Sequence, residues 1–494
     1  MVRRVVTSQR FYEILVPVVT WLIITTPVWL SPFFPALVAY FIIVFDVYFF
    51  YKTFKTVVLA TMSYMRIKQA NKINWYKRAR FCASFDEINH VIIVTNYKET
   101  KRKLRITLDA IAKQRYAKNH IHIVLAMEEA EGIAAHDRAK KLISEYMTSV
   151  ASITATFHPL KPGEEKGKAS NETWAARAVS YMVAKKKWEP KNIIVTSCDA
   201  DSVLDNQYLA YVTYQYLTDR NAQYKFYWAP LLLYSNYWKL NFFIRIQTTI
   251  SSIMRLAFLS ETSNLIQIST YSMSLWLLEQ VDYWDVDIIP EDWHIFLQAF
   301  VKFGSVVETK PVYLITTGDG VSGKNFVDSI RNRYEQEKRW AWGVTDIPYA
   351  IQQFVHASHI SIVDRFFRIL SVLQTHILWP SSFFVLTLGA TVPMFLNPYF
   401  KQTALGYLLP KVAGSILTMT TSFVLIIAVL DFQSKRHFLN KREMPKVPLL
   451  MLQWILFPIL SPIISALLSS LPALESHTRM LLGKKIDYKV TKKS

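Results

Sequence analysis

The most informative local pattern in this chain is the stretch Asn192-Ile-Ile-Val-Thr-Ser-Cys198-Asp199-Ala200-Asp201. A short apolar and β-branched run is typical of a buried strand, and here two carboxylates follow at the point where the run stops. Similar runs occur at 90–95, 120–126, 224–233 and 305–314, separated by stretches of helical length. This alternation predicts an α/β region with a largely parallel sheet, in which ligands bind beyond the carboxyl ends of the strands.

Apolar segments of membrane length lie on both sides of this region. Residues 11–30 and 33–50 come before it, and each approaches the ~20 apolar residues that span a bilayer. Residues 367–396, 405–430 and 447–474 come after it. Hydrophobic residues make up 51% of the 494, which is more than one soluble core requires. The chain is therefore predicted to be a membrane protein.

The last apolar run differs from the others. Pro458 and Pro462 interrupt it, and a basic tail that should stay in the cytosol follows it. A broken, re-entrant hairpin would satisfy both features, because irregular backbone is tolerated at membrane depth when protein surrounds it.

The charge pattern indicates which side of the membrane each part occupies. The net charge of +20 is carried largely by Lys and Arg that cluster beside the apolar segments. Such clusters favour the cytosolic side and anionic headgroups, so the middle region is predicted to be cytosolic and nucleic-acid binding is disfavoured. With two cysteines, Cys82 and Cys198, the sequence offers neither a disulfide framework nor zinc-ligand spacing.

Three motifs follow one another between the apolar segments: Asp199-Ala-Asp201, Glu291-Asp292 and Gln336-x-x-Arg339-Trp340. In this order, and ahead of a helical bundle, they resemble the membrane-embedded, processive family-two inverting glycosyltransferases, which include cellulose, chitin and hyaluronan synthases. By motif, the resemblance covers roughly residues 88–345. It implies a cytosolic GT-A (Rossmann-like) domain between transmembrane helices.

The resemblance and the apolar segments together predict four parts. Residues 1–56 would form two transmembrane helices, and 57–365 the cytosolic glycosyltransferase domain with amphipathic interface helices, one of them at 242–259. Residues 366–476 would form a C-terminal transmembrane bundle. Residues 477–494 would form a basic cytosolic tail, in which 488–493 resembles the gating segment of cellulose synthases or is simply a disordered end.

The acidic motifs carry the chemistry that the resemblance implies. Asp201 would ligate Mg²⁺ or Mn²⁺, and Asp199 would contact the ribose and share the metal, since hard cations prefer carboxylate oxygens. Asp292, beside Glu291 at a predicted helix start, would be the general base that takes the acceptor hydroxyl proton. An ordinary carboxyl pKa near 4 would keep it ionised at neutral pH. Without the resemblance, the first motif is a solvated turn and the second a common helix start.

Other residues are assigned by the same resemblance. Gln336 and Trp340 would hold the acceptor glycan together with Ser269 and Thr270, and Arg339 would stabilise the departing diphosphate. The ordinary alternatives are a strand-end turn for the serine and threonine, and a membrane-interface anchor for the tryptophan. The residues implied to bind the donor nucleotide are Thr95, Tyr97, Glu99, Glu128, Lys168, Asp199 and Arg339.

A different function is suggested by residues 318–325, which nearly spell the phosphate loop of a nucleoside triphosphatase. Asn325 stands where that loop needs Ser or Thr to hold Mg²⁺.

His294, in the segment that follows Glu291 and Asp292, is interpreted as a helix-face residue and not as a ligand.

The function predicted from these features is transfer from a nucleotide sugar, in this family a UDP-sugar, to a growing polysaccharide at the plasma (inner) membrane. Transfer of a single sugar to a lipid acceptor is the alternative, and a binding or scaffold protein is the third possibility. The predicted partners are the donor, a glycan or lipid acceptor and membrane lipids.

Overall fold

The computed structural model describes residues 2–436, 438 and 443–486. Its α/β region contains a seven-stranded sheet in the order β3-β2-β1-β4-β7-β5-β8, and β6 and β9 pair separately. The strands are β1 Asn89–Thr95, β2 Ile121–Glu128, β3 Ser152–His158, β4 Ile193–Asp199, β5 Lys225–Trp228, β6 Leu231–Leu232, β7 Tyr271–Ser274, β8 Glu308–Pro311 and β9 Thr316–Thr317.

The central strand β1 is buried on both faces. Val91 and Ile93 face one apolar core, whereas Ile92 and Val94 face the other. Successive strand residues point to opposite faces, so a continuous run of Val and Ile is what a sheet covered by helices on both sides requires. Strand β4, which carries the first acidic motif, pairs in parallel with β1 and places Asp199 beside Thr95.

The prediction of a largely parallel sheet is confirmed, with two differences. Strand β7 runs antiparallel to both β4 and β5, and the predicted strand at 224–233 is divided into β5 and β6. Strands β3, β7 and β9 were not predicted. Strands β3 and β7 alternate small or polar residues with larger ones, which is a weak signal beside the apolar runs of β1 and β4, and β9 has only two residues.

The helices surround this sheet and continue on both sides of it in sequence. Those of the α/β region are α3 Trp75–Arg80, α4 Lys101–Ala112, α5 Ile133–Tyr146, α6 Lys168–Lys186, α7 Tyr208–Thr218, α8 Phe242–Ser260, α9 Leu275–Gln280, α10 Glu291–Phe303, α11 Phe326–Ala341 and α12 Asp346–His356. The others are α1 Val2–Leu30, α2 Pro35–Ala70, α13 Ile362–Leu388, α14 Val392–Leu396, α15 Pro398–Lys401, α16 Ala404–Lys435, α17 Val447–Ser465 and α18 Leu471–Leu481.

Six helical segments in the described part of the chain are long and apolar enough to cross a membrane: five are 10–30, α2, α13, α16 and 447–481, and the sixth is α8. The first five have between 17% and 28% of their apolar window buried within the protein, whereas α8 has 67% buried. Helix α8 also contains two buried arginines, Arg245 and Arg255. It is therefore largely enclosed by protein and packs against α2, α16 and α17.

The predicted re-entrant hairpin is wrong. Residues 447–481 form one continuous helical run, in which a π-helical turn at Ala466–Ser470 connects α17 to α18. Pro458 and Pro462 lie inside α17. A proline removes one backbone hydrogen bond and crowds the preceding turn, and a π-helical turn shortly afterwards is a usual place for such a helix to adjust.

The long helix α2 reaches the α/β region directly. Its 36 residues correspond to about 54 Å, well beyond the thickness of a hydrocarbon layer. In its second half Lys55 pairs with Glu261 at 2.5 Å, and the hydroxyls of Ser63 and Ser260 lie 2.6 Å apart. Arg66 donates a 2.6 Å hydrogen bond to the Tyr313 hydroxyl. These polar contacts fix the orientation of the sheet relative to the apolar helices.

Candidate active site

Four carboxylates surround one ammonium group where β4 ends and where α6 and α10 begin. The Nζ of Lys168 lies 3.2 Å from Asp199 Oδ1, 3.1 Å from Glu291 Oε1, 3.4 Å from Asp292 Oδ1 and 3.7 Å from Glu172 Oε1. The Lys168 side chain is 12% exposed and that of Glu172 is fully buried. We call these five residues the acid cluster.

Burial and mutual repulsion control protonation in the acid cluster. Burial raises the pKa of Asp292 to about 7, although Lys168 opposes the change. Burial likewise raises the pKa of Glu172 to about 7 and raises the pKa of Glu291. For Lys168, burial favours the neutral amine, but the surrounding carboxylates outweigh it and hold the pKa well above its ordinary value. The expected carboxyl pKa near 4 for Asp292 is therefore wrong, because this side chain is enclosed and shares a single cation with three other acids.

The loop before β7 ties the acidic motifs together. The backbone N–H of Ser269 donates a 2.6 Å hydrogen bond to Asp292 Oδ2, its hydroxyl donates to Asp199, and its carbonyl accepts from Lys168 at 2.8 Å. Ser269 holds these contacts at a φ of 70°, in the left-handed region that non-glycine residues seldom adopt. Thr270 Oγ1 accepts a 3.3 Å hydrogen bond from the Asp199 backbone. Ser269 and Thr270, which were predicted to bind the acceptor glycan, thus hold the carboxylates of Asp199 and Asp292 in position.

Asp201 faces a different loop. Its Oδ2 accepts a 2.9 Å hydrogen bond from the backbone N–H of Asp319. The Asp319 carboxylate lies 3.5 Å from the Nζ of Lys103, which is also 3.7 Å from Glu99. The predicted donor residue Glu99 and the predicted metal ligand Asp201 are therefore connected through Lys103 and Asp319.

The donor set around Asp199 and Asp201 fits a divalent cation shared with a substrate. Within the described residues, no three His, Cys, Asp or Glu side chains converge as a complete metal cage. Mg²⁺ commonly takes only one or two carboxylates and completes its shell with phosphate oxygens and water. The two carboxylates that follow β4 match that pattern.

The glycine-containing loop at 318–325 does not form a phosphate cradle. Its backbone N–H groups are already used: Gly320 donates to Asn236, Gly323 to Ser329 and Lys324 to Asp328. A phosphate loop needs such N–H groups to point at its ligand. The triphosphatase interpretation is therefore not supported.

The other predicted donor residues lie at the ends of β1 and β2. Thr95 lies beside Asp199 in the sheet, and the Tyr97 ring has the ammonium groups of Lys98 and Lys166 at 5.0 and 5.2 Å from its centre.

Glu128, at the end of β2, makes a different contact from the one expected of a base-binding residue. It lies 3.2 Å from the buried His158, whose other ring nitrogen is 2.9 Å from Glu164. Burial lowers the pKa of His158, but the two carboxylates outweigh burial and raise it.

The Gln-x-x-Arg-Trp motif lies on α11 as part of a second charged group. The fully buried Arg333 donates a 2.6 Å hydrogen bond to Gln336 and also pairs with Glu337. The guanidinium groups of Arg333 and Arg255 lie 5.0 and 5.2 Å from the centre of the Trp340 ring. We call Arg255, Arg333, Gln336, Glu337 and Trp340 the arginine cluster.

The two clusters face each other, because Arg255 is close enough to Asp199 for their charges to interact. Arg339 follows on the same helix α11 and, like Trp340, is partly buried. The arginine cluster therefore lies near the acid cluster, and both of its guanidinium groups contact the Trp340 ring.

Some functional candidates could not be found from the sequence. Glu172 and Arg333 lie on helices among polar or mixed neighbours, where a charged residue is normally solvated. Arg255 lies among apolar residues of a segment predicted to be an interface helix, and that pattern does not indicate a site either. His294 lies on a buried face of α10, 2.9 Å from Asp346 and 2.8 Å from Asp285. Burial opposes its protonation, but the two carboxylates raise the pKa of His294 to about 9. A lone histidine in an acidic segment gives no sequence signal for such a bridge between α10 and α12.

Comparison with known proteins gives only distant likenesses. No protein-family model and no curated protein sequence matches the chain. A mannosyltransferase from Pyrobaculum calidifontis, PcManGT, solved with GDP-Man and Mn²⁺, is similar at 15% identity and a TM-score of 0.42, over 80% of this chain and 100% of its own. TarS residues 1–349 from S. aureus, solved with UDP-GlcNAc, are similar at 11% identity and a TM-score of 0.34, over 71% of this chain and 90% of theirs. Both are glycosyltransferases, but TM-scores this low carry no argument about this chain.

Proposed function

We propose that this protein is a membrane-embedded, inverting glycosyltransferase that uses a nucleotide-sugar donor. The observation that carries the proposal is the convergence of Asp199, Glu291 and Asp292 on Lys168 at the carboxyl end of a largely parallel sheet. Ligands of such sheets bind at this edge. Glycosyl transfer uses one carboxylate as a general base and others to hold a metal ion, and the cluster supplies several carboxylates in one enclosed place.

Asp292 is the proposed general base. With a pKa raised to about 7 by burial, its carboxylate is a stronger base than an exposed aspartate and is still partly ionised at neutral pH. It would take the proton of the acceptor hydroxyl as that oxygen attacks the anomeric carbon from the face opposite the leaving diphosphate. The Ser269 N–H and Lys168 hold the carboxylate in one orientation. Glu291, beside it, keeps the local potential negative and so supports the high pKa.

Cationic groups would neutralise the departing nucleoside diphosphate. A guanidinium forks onto phosphate oxygens, so Arg339 is assigned to the leaving group, with Arg255 and Arg333 adding positive potential behind it. A Mg²⁺ or Mn²⁺ ion held by Asp201 and Asp199 would supply further charge neutralisation when bound. On the donor side, Thr95, Tyr97 and Glu99 would contact the nucleotide. Glu128 is assigned to positioning His158 and not to the base.

The proposed arrangement in the cell follows from the apolar helices and the charge pattern. The α/β region would face the cytosol, where nucleotide sugars are made, and the helices before and after it would lie in the plasma (inner) membrane. Elongation of a polysaccharide is the activity we propose, with Trp340, Gln336, Ser269 and Thr270 near the acceptor. Single transfer to a lipid acceptor remains the alternative and is separated from elongation by the size of the product.

The test is a screen of radiolabelled nucleotide sugars against the full chain in detergent with Mn²⁺ or Mg²⁺. We expect one donor to label a product of high molecular mass, which would establish elongation. Label that extracts into organic solvent would establish transfer to a lipid. Asp201→Ala is the matched negative control, since its side chain is the assigned metal ligand. Absence of label from every donor, with the protein still folded, would refute the proposal.

A further inference from the structure

A second cationic site lies on helix α8, near the end opposite the acid cluster. The Arg245 residue is 6% exposed, and its Nε has no hydrogen-bond partner. In the described part of the chain, no carboxylate forms an ion pair with its guanidinium and no hydrogen bond leaves its side chain. A buried cation in this state is destabilising unless something compensates for the lost water. Arg245 is therefore suited to binding an anion.

Three aromatic rings surround Arg245 without replacing that anion. The guanidinium carbon lies 5.3 Å from the ring centre of Trp238, 5.8 Å from that of Phe242 and 5.9 Å from that of Tyr237. These cation–π contacts are favourable, but none of them accepts a hydrogen bond in the plane of the guanidinium. The rings thus hold the guanidinium in place without taking up its N–H groups.

The guanidinium lines an open cavity between α8, α16 and α17. Opposite it the walls are apolar and aromatic, formed by Phe432, Trp454 and Phe457. The other cation of the lining, Lys435, is neutralised by Asp431 at 2.6 Å. Arg245 is therefore the lining cation whose charge remains uncompensated in the described residues. The cavity combines one positive pole with a long apolar wall, which is the polarity of a lipid.

The position along the helices agrees with a lipid headgroup. The lining residues of α16 are at its end, which is Lys435, and those of α17 are near its start at Val447. The connecting sequence contains Arg436, Lys441, Arg442 and Lys446, the pattern that marks a cytosolic membrane surface. The apolar windows of α16 and of the helical segment 447–481 have 18% and 17% of their residues buried within the protein.

We propose that this cavity binds the anionic phosphate headgroup of a membrane lipid in the cytosolic leaflet, with Arg245 on the phosphate and the hydrocarbon chains along α16 and α17. The inference depends on the proposed membrane embedding but not on the glycosyltransferase activity. The lipid would anchor α8, and α8 also carries Arg255 of the arginine cluster. A bound lipid would therefore hold the active-site end of this helix in place.

Quenching of tryptophan fluorescence by brominated lipid tests the proposal, because Trp454 lines the cavity. The full chain, delipidated in detergent, would be titrated with dibrominated phosphatidylglycerol. The signal of interest is the fluorescence of Trp454, obtained as the difference in tryptophan fluorescence between the wild type and Trp454→Phe. We expect saturable quenching of that signal, and a half-saturating lipid concentration about tenfold higher in Arg245→Gln, since a charge-assisted contact to phosphate is lost.

The controls separate this site from general attraction to the membrane surface. Lys446→Gln removes a nearby exposed cation that does not line the cavity, and it should leave half-saturation within about twofold. Arg245→Lys keeps the charge, and its half-saturating lipid concentration should lie between those of the wild type and Arg245→Gln. It replaces Arg245→Gln in the test if that variant fails to elute as a folded species.

Four results would overturn the proposal. The first is equal quenching in Arg245→Gln and the wild type, and the second is a rise in half-saturating lipid concentration in Lys446→Gln as large as that in Arg245→Gln. The third is equal quenching of the wild type by dibrominated phosphatidylcholine, and the fourth is full displacement of the lipid by millimolar inorganic phosphate. The last would identify a site for free anions. Failure of the glycosyltransferase proposal alone would leave the quenching unchanged, and so would Asp292→Asn. Failure of the membrane embedding would remove saturable quenching from the wild type as well.

Discussion

The acid cluster and the arginine cluster face each other but have opposite charge surpluses. In the first, four carboxylates share Lys168. In the second, Arg255 and Arg333 flank Trp340, and Glu337 is the carboxylate paired with Arg333. A buried surplus of negative charge is relieved by binding protons or cations, and a surplus of positive charge is relieved by binding anions. The pair of clusters is thus suited to a substrate that brings a diphosphate and a hydroxyl proton to the same place.

The largest effect is expected when the acid cluster loses its cation. Lys168→Met should lower the free energy of unfolding by about 3–5 kcal/mol, because buried carboxylates are left without a partner. These carboxyls have pKa values raised above their unfolded values, so the remaining stability should be greatest at low pH and should fall as pH rises through about 7. Thermal unfolding in detergent at pH 6 and pH 8 measures both effects.

Lys166→Met is the matched control for that experiment. Lys166 is an exposed lysine two positions away, and it lies over the Tyr97 ring. It should change stability by less than about 1 kcal/mol at either pH. Equal destabilisation by both variants would mean that the acid cluster does not depend on Lys168.

A smaller loss is expected in the arginine cluster. Arg333→Met removes hydrogen bonds to Gln336 and Glu337, but Glu337 keeps a 3.1 Å hydrogen bond from Gln247. We expect a loss of about 2–3 kcal/mol in unfolding free energy, with no increase between pH 6 and pH 8. Arg331→Met, at an exposed position of the same helix, is the control. A pH dependence like that of Lys168→Met would show that the two clusters are not electrically distinct.

The sequence predicted the acid cluster better than the arginine cluster. Asp199 follows an apolar strand, and Glu291 and Asp292 open a helix, so their positions in the fold follow from local pattern. Lys168 was also found, although as a nucleotide contact and not as the shared partner of four acids. Which acids share it depends on the crossing of α6, α10 and β4, and no local pattern records that crossing.

The arginine cluster depends even more on tertiary structure. Arg255 and Arg333 belong to different helices. Neither the apolar run around Arg255 nor the basic stretch around Arg333 indicates that the two guanidinium groups lie near the same tryptophan ring. The same holds for Glu128, which the resemblance assigned to the base and which the fold turns towards His158. The continuous helical run at 447–481 was also not predicted. Pro458 and Pro462 usually break a helix in a soluble protein, whereas prolines are tolerated in an apolar, membrane-type helix.

The rate of sugar transfer should have an acidic limb that reflects the acid cluster. Because burial raises the pKa of Asp292 to about 7, the base is lost as pH falls, and kcat/KM should drop about tenfold per pH unit below neutrality. A steady-state profile from pH 5.5 to 8.5 measures it. A limb near pH 4, the value for an exposed carboxyl, would mean that Asp292 is not enclosed during turnover.

The smallest effect is expected at Ser269. Ser269→Ala removes the hydroxyl bond to Asp199 but keeps the backbone contacts to Asp292 and Lys168. We expect donor binding to weaken by about 1 kcal/mol, which would appear as a rise of several-fold in donor KM with kcat nearly unchanged. A fall in kcat of about a hundredfold would instead give this hydroxyl a part in the chemical step.

The central claim, that Asp292 is the general base of sugar transfer, is tested most directly by comparing the initial transfer rates of Asp292→Asn and Asp287→Asn. Asp287 is an exposed aspartate just before the same helix, so it controls for the change of charge. The account predicts that Asp292→Asn loses about 10² to 10⁴ in rate while eluting and melting like a folded protein, and that Asp287→Asn keeps nearly full activity. An Asp292→Asn protein that transfers sugar at close to the wild-type rate would contradict it.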